Sequence, residues 1–371
     1  MKTLTSQEKA NTAKALLARI RELYTPGEHL RFMEVCGTHT VAIFREGIRQ
    51  VLPPEIELVS GPGCPVCVTD QIYMDKALAY AKQEDVIIAT FGDMLKVPGT
   101  EHSLAEAQAA GAHIHVIYSP LEILELGKQN PDKKIIFLAI GFETTIAAIA
   151  GTVKAVHLSS VRNIFFLVSH KLVPPALRVL LEQKEGQIDG FILPGHVSVI
   201  IGEEPYRYLA DAYKIPACIT GFEGVEILSG IVNLLEQRKT NHYQIGNQYT
   251  SVVMKTGNPV ALQLIDEIYE VCDDTWRGMG VLPKSGLRLK APYDQYDVEK
   301  VYPLTTPLPV EKPTGCQCGR VLQGLIRPDE CPLFGKVCTT NHPVGACMVS
   351  VEGSCAAWYK YGRASGGLAW K

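Results

Sequence analysis

Apolar residues along this chain follow two rhythms. Residues 6–23 set Ala13, Leu16, Leu17, Ile20 and Leu23 on one stripe at helical spacing, behind Ser6 as N-cap. Beyond Pro26 and Gly27, short unbroken apolar runs alternate with longer amphipathic stretches. The runs at 30–35, 56–60, 86–90 and 113–118 predict strands, with helices following the first three. A second series opens after Ser119-Pro120, with a helix at 121–129 and strands at 135–140, 163–168, 190–193 and 217–220. Unbroken apolar strands alternating with helices predict parallel sheets buried on both faces. From about residue 240 the texture changes. A short β-like stretch at 251–254 and a helix at 259–272 precede a segment rich in Pro, Gly and Tyr with little periodicity.

The fold class expected is α/β, with two Rossmann-like parallel-sheet domains of similar plan and a smaller irregular C-terminal domain. The predicted limits are 1–25 for an N-terminal helix packing on the C-terminal domain, 26–119 and 120–240 for the α/β domains, and 241–371 for the last.

In such sheets ligands bind beyond the carboxyl ends of the strands. The residues that follow each predicted strand therefore matter most. Cys36-Gly37-Thr38-His39-Thr40 follows the first. Gly61-Pro62-Gly63-Cys64-Pro65-Val66-Cys67 follows the second, and places two thiols where a strand hands over to a helix. A helix N-terminus favours thiolate, and Pro65 suits the first turn. Gly141-Phe142-Glu143 and Gly221-Phe222-Glu223 are matching exits, and Pro194-Gly195-His196 is another. Cys36, Cys64 and Cys67 leave consecutive strands and are expected to face one crevice. His39, Glu143 and His196 are the accompanying acid–base candidates. His113, His115, His157 and His242 are expected at the surface or in packing roles, and Cys218 and Cys272 in the core, Cys272 within a helix.

Composition narrows the function classes. A formal charge of −3 without long basic runs argues against a nucleic-acid surface. The polar start does not read as a signal peptide, and no apolar run reaches membrane-spanning length. No Walker loop or Gly-x-Gly-x-x-Gly follows a strand, so a nucleotide site is unsupported. The expected setting is cytoplasmic, where thiols stay reduced and eleven cysteines point to metal or redox chemistry. Six of them, Cys316, Cys318, Cys331, Cys338, Cys347 and Cys355, fall near the C-terminus among Gly and Pro. Zinc sites usually show two close Cys pairs, whereas here the only close pair is Cys-x-Cys. An iron–sulfur cluster tolerates less regular spacing and is favoured, although spacing alone does not choose the four ligands. At Cys64/Cys67, iron ligation and dithiol–disulfide cycling both remain open.

The chain resembles the HypD family of [NiFe] hydrogenase maturation factors. The resemblance rests on Phe32-Met33-Glu34-Val35-Cys36-Gly37-Thr38-His39-Thr40, on the segment Gly61 to Cys67, on Gly141-Phe142-Glu143-Thr144-Thr145 and on Pro194-Gly195-His196-Val197-Ser198. The tail adds Cys318-x12-Cys331-x6-Cys338-x16-Cys355, similar to the family's [4Fe-4S] ligand pattern. The resemblance implies a redox-active scaffold rather than a conventional turnover enzyme. On it the Fe(CN)2CO group would be assembled in complex with the chaperone HypC, with cyanide received from HypE, for delivery to the hydrogenase large subunit. It implies iron at Cys36, a ligating or redox role for Cys64 and Cys67, and second-sphere or proton-handling roles for His39, Glu143 and His196. A cluster-dependent thiol–disulfide oxidoreductase and a zinc-stabilised binding protein are the competing readings.

Overall fold

A computed structural model describes residues 5–183, 185–310 and 314–362. Eleven strands among them form two sheets. The first is wholly parallel, in the order β2 (Ile56–Ser60), β1 (Leu30–Glu34), β7 (Gly190–Pro194), β8 (Ala217–Thr220), β9 (Ile245–Asn247). The second runs β10 (Tyr269–Trp276), β11 (Gly280–Leu289), β6 (Ile164–Lys171), β5 (Lys134–Gly141), β3 (Val86–Thr90), β4 (Ile114–Val116). Its β3 to β6 are parallel, and an antiparallel β10–β11 hairpin is added along β6.

The two sheets share one plan, but the chain fills them in an order the linear reading does not give. β3 and β4 pair with β5 and β6, while β1 and β2 wait for β7, β8 and β9. The parallel part of the second sheet, β3 to β6, is thus inserted between β2 and β7 of the first, while its β10–β11 hairpin follows β9, and the divisions at residues 119/120 and 240/241 are corrected. Apolar runs specify strands, whereas the partner of a parallel strand is chosen by long crossovers that local pattern does not encode. In each sheet the winding direction reverses once, between β1 and β7 in the first and between β3 and β5 in the second. In open parallel sheets such reversals are where ligands usually bind, beyond the carboxyl ends of the strands.

The N-terminal helix, Ser6–Leu23, is capped by Thr5 rather than Ser6, in a capping box with Glu8. It buries Ile20 and Leu23 against Ile227, Ile231 and Leu234 of the helix Gly224–Thr240. Its predicted seat on the C-terminal domain is therefore corrected. The stretch at 251–254 is a turn, and the helix begun at Pro259 ends at Ile268. Cys272 consequently lies on β10, half-buried, instead of in a helix.

The largest apolar core lies between the sheets and joins Met33, Val59, Leu138 and Leu167 to Val321, Leu322 and Met348 of the C-terminal stretch. That stretch is a set of short turns and helices rather than a body with a core of its own. Its cysteines line the shared core.

Candidate functional site

The site is built at the reversal of the first sheet. β1 ends at Glu34, which is wholly buried and accepts hydrogen bonds from Ser60 Oγ at 2.7 Å and Thr40 Oγ1 at 3.0 Å, with Arg49 at 3.7 Å. One carboxylate thus ties the ends of β1 and β2 to the helix Gly37–Arg45. Cys36 caps that helix, and the loop from β2 presses against it. Gly37 N–H donates to Gly63 O at 3.1 Å, and a Cβ on Gly63 would lie 2.3 Å from Cys36 N. Only glycine permits this approach. The two strand exits are therefore locked together, as the sequence order suggests.

Cys36 is 9% exposed, and burial, followed by the nearby Glu352 carboxylate, pushes its thiol up to about 11. Glu352 comes from the C-terminal stretch and accepts a hydrogen bond from Thr38 Oγ1 at 2.7 Å. The same carboxylate acts on His196, whose ring is otherwise held below its ordinary value by partial burial. Glu352 was not singled out in the sequence. Its only signal is its place in the turn Glu352-Gly353-Ser354 before Cys355.

His39 is fully buried, with Nε2 2.9 Å from both Gly221 O and Thr220 Oγ1. A carbonyl partner requires Nε2 to carry the proton, which leaves the unpartnered, buried Nδ1 as a free lone pair. Burial lowers its pKa to about 4, so the ring is neutral. Phe222 sits between the two imidazoles, with its ring centroid 4.7 Å from that of His39 and 4.1 Å from that of His196. The matching Gly-Phe-Glu exits diverge in role. Glu223 is exposed and pairs with Lys9 at 2.8 Å, whereas Glu143 is buried at the reversal of the second sheet. There Val173 N–H donates to Glu143 Oε1 at 3.0 Å, Oε2 has no partner, and burial raises the carboxyl to about 7.

The Cys64/Cys67 turn faces a different neighbour from Cys36. Cys64 caps the short helix Pro65–Val68, and Cys67 N–H donates to Cys64 Sγ at 3.4 Å. Cys67 is wholly buried, with Sγ 3.9 Å from Ala346 O, and burial together with Cys347 and Cys64 pushes its thiol well above the ordinary value. The neighbouring thiols of Cys318, Cys355 and Cys67 draw Cys347 well below the ordinary thiol value. A continuous line of thiols therefore runs from Cys64 and Cys67 through Cys347 to the tail.

The tail thiols converge. Cys316, Cys318, Cys331, Cys338 and Cys355 line one cavity with Val321, Leu333, Phe334 and Met348. Cys316 Sγ and Cys318 Sγ are 3.1 Å apart, and Gly345 passes so close that a Cβ there would meet both sulfurs. Soft donors in an apolar shell, without carboxylate or imidazole, are the donor set of an iron–sulfur cluster. Among the described residues no group of three or more His, Cys, Asp or Glu is arranged to hold a single metal ion. The donor types fit a cluster, and a mononuclear site is not formed. Five thiols rather than four line the space, with Cys316 the addition, and Cys347 links outward.

The arrangement matches known proteins over nearly its whole length. A family model described as "HypD: Hydrogenase formation hypA family" aligns with residues 11–362. The chain belongs to the HypD family. It is 42% identical over 339 residues to the hydrogenase maturation factor HypD of Escherichia coli K12, covering 91% of both chains. Identity to the maturation factor HypD of Rhodobacter capsulatus is 41% over 361 residues, covering 95% of this chain and 96% of that one. For the Cupriavidus necator protein it is 38% over 372 residues, covering 98% of both. The functional frame is therefore hydrogenase maturation, with partners in that pathway. No helix among the described residues is long and apolar enough to cross a membrane.

Proposed function

We propose that this chain is the iron–sulfur scaffold on which the Fe(CN)2CO group of a [NiFe] hydrogenase is assembled. It does so in complex with HypC, accepts cyanide from HypE and serves the hydrogenase large subunit. The observation that carries the reading is Cys36 at the reversal of the first sheet, locked against Gly63, with the Glu352 carboxylate acting on both Cys36 and His196. Iron carrying cyanide and carbon monoxide takes soft thiolate ligands in a water-poor pocket, and Cys36 offers one. His39 Nδ1 is a base available nearby, and Glu143 a proton holder near neutrality. Both serve as proton-handling groups, together with His196.

Four of the tail thiols hold a [4Fe-4S] cluster, with Cys331, Cys338 and Cys355 in every set and Cys318 or Cys316 as the fourth. When bound, the cluster supplies electrons one at a time. The Cys67–Cys347 contact favours a companion role in which Cys64 and Cys67 cycle between dithiol and disulfide, as in a cluster-dependent thiol–disulfide oxidoreductase. The expected setting is the cytoplasm.

Infrared spectra of the chain purified anaerobically with HypC test the scaffold reading. Cyanide and carbonyl stretches that vanish in Cys36→Ala, while iron in the cluster is retained, support it. Their absence from the wild-type complex with a full cluster overturns it. Cysteines 64 and 67 that stay fully alkylatable under oxidising poise would exclude disulfide cycling.

A further inference from the structure

Asp93 stands at the exit of β3, at the reversal of the second sheet, where the chain reads Phe91-Gly92-Asp93-Met94 and Gly92–Met94 form a 3-10 turn. The residue is exposed, and its carboxylate meets the C-terminal stretch rather than its own sheet. Ser350 Oγ donates to Asp93 Oδ2 at 2.8 Å. Ser350 is almost wholly buried, and its hydroxyl is used twice. While donating to Asp93 it accepts from Glu352 N–H at 3.3 Å, and Gly353 N–H closes the turn on Ser350 O at 2.9 Å.

From Ser350 the contacts cross to the first sheet. Thr38 Oγ1 donates to Glu352 Oε1 at 2.7 Å, and a Cβ on Gly37 would lie 2.1 Å from Glu352 O. Glu352 is therefore pressed against the residue next to Cys36 by its backbone as well as by its carboxylate. The far end of the turn is held in the tail, since a Cβ on Gly353 would lie 2.2 Å from Cys347 O. Asp93, Ser350, Glu352 and Thr38 thus join one reversal to the other, each link a hydrogen bond of 2.7 to 3.3 Å.

A serine that accepts from a backbone N–H two residues on is a common local device and by itself implies nothing about a site. Asp93 adds a direction. With the Ser350 proton committed to Asp93, a lone pair of the same oxygen is aimed at Glu352 N–H. Without Asp93 the buried hydroxyl loses the acceptor for its proton, which costs more than an exposed bond would.

We propose that Asp93 is a positioning residue for Cys36, which it reaches from the second sheet by fixing the Ser350–Gly353 turn and so holding Glu352 over the exit of β1. Its meaning for function rests on the scaffold reading, in which Cys36 supplies the thiolate to iron. That thiol is then set by residues of both sheets and of the C-terminal stretch. No proton or electron passes along the series.

Alkylation of the full chain, purified anaerobically and followed peptide by peptide by mass spectrometry at one pH, tests the link. Asp93→Ala should speed modification of Cys36 roughly three- to tenfold, the range a single hydrogen bond supports. Asp93→Asn keeps an acceptor for Ser350 and should return the rate close to that of the wild type. Cys272, half-buried on β10 in the same sheet as Asp93, should react at the wild-type rate in both variants. In a double-mutant cycle Asp93→Ala should add little to Glu352→Ala. An unchanged Cys36 rate in Asp93→Ala overturns the proposal. So does an equal rise at Cys272, which would mark a general loosening, or a rate in Asp93→Asn as high as in Asp93→Ala. Fully additive effects of Asp93→Ala and Glu352→Ala overturn it as well. A wild-type HypC complex without cyanide bands sinks the scaffold reading and leaves these rates as they are, so the two failures are distinct.

Discussion

Thr38 Oγ1 donates to Glu352 Oε1 at 2.7 Å, and through this bond the C-terminal stretch reaches the loop that follows Cys36. The carboxylate brings negative charge to a thiol that is already hard to ionise. A like charge disfavours the thiolate, so Glu352 adds to the burial that keeps Cys36 protonated. Glu352→Gln keeps the shape and removes the charge. The expected result is a lower apparent pKa for Cys36 alkylation, read from the rate against pH. An unchanged profile would remove Glu352 from the control of this thiol.

Gly63 offers a steric test of the locked strand exits. A methyl group there meets the backbone of Cys36 rather than a flexible side chain, so nothing can swing aside. Gly63→Ala should destabilise the chain by about 3 kcal/mol, the upper range for overpacking. Denaturant titration measures the loss, and Gly111→Ala, where a Cβ has open space but φ is positive, provides a comparison for backbone strain alone.

Glu143 gives stability a dependence on pH with a definite sign. Its carboxyl titrates at about 7 when folded, against 4.5 for an unperturbed group. The folded chain therefore holds that proton more tightly, and the stabilisation is complete below about 4.5 and lost as pH rises through 7. The difference between wild type and Glu143→Gln should change by about 3 kcal/mol across that window. Parallel stability curves for the two proteins would show that Glu143 is solvated.

The line of thiols predicts a specific cross-link. Cys67 lies against Cys347, and mild oxidation under non-denaturing conditions should yield a peptide joining them, in competition with Cys64–Cys67. Cys347→Ser should leave only the Cys64–Cys67 disulfide, with the iron content of the tail unchanged. Loss of iron in that variant would instead make Cys347 a ligand. For the cluster proposed in the tail, the same iron assay on Cys316→Ser and Cys318→Ser should lower iron only where the ligand is lost.

Much of this was legible in the chain itself, and what was hidden had physical reasons. The apolar runs at Ile56–Ser60, Val86–Thr90 and Ala217–Thr220 announce their strands because both faces are buried. The hairpin Tyr269–Leu289 does not, because its outer positions Glu270, Asp273 and Lys284 face water, Pro283 interrupts it, and the register shifts between Cys272 and Asp274. Cys36, His39 and Glu143 stand at strand exits and can be found by position. Glu352 sits in a short turn whose partner, Thr38, lies 314 residues away along the chain. Nothing local marks it.

Insertion of β3 to β6 between β2 and β7 has a consequence for the order in which the molecule is made. When Cys36, Cys64 and Cys67 leave the ribosome, the strand that must flank β1 lies some 130 residues behind, and the turn carrying Cys347 and Glu352 is later still. Through most of synthesis these three thiols are therefore attached to half a sheet, without the wall that buries them. The burial that the finished fold gives these thiols cannot be completed before the turn carrying Cys347 and Glu352 has been made.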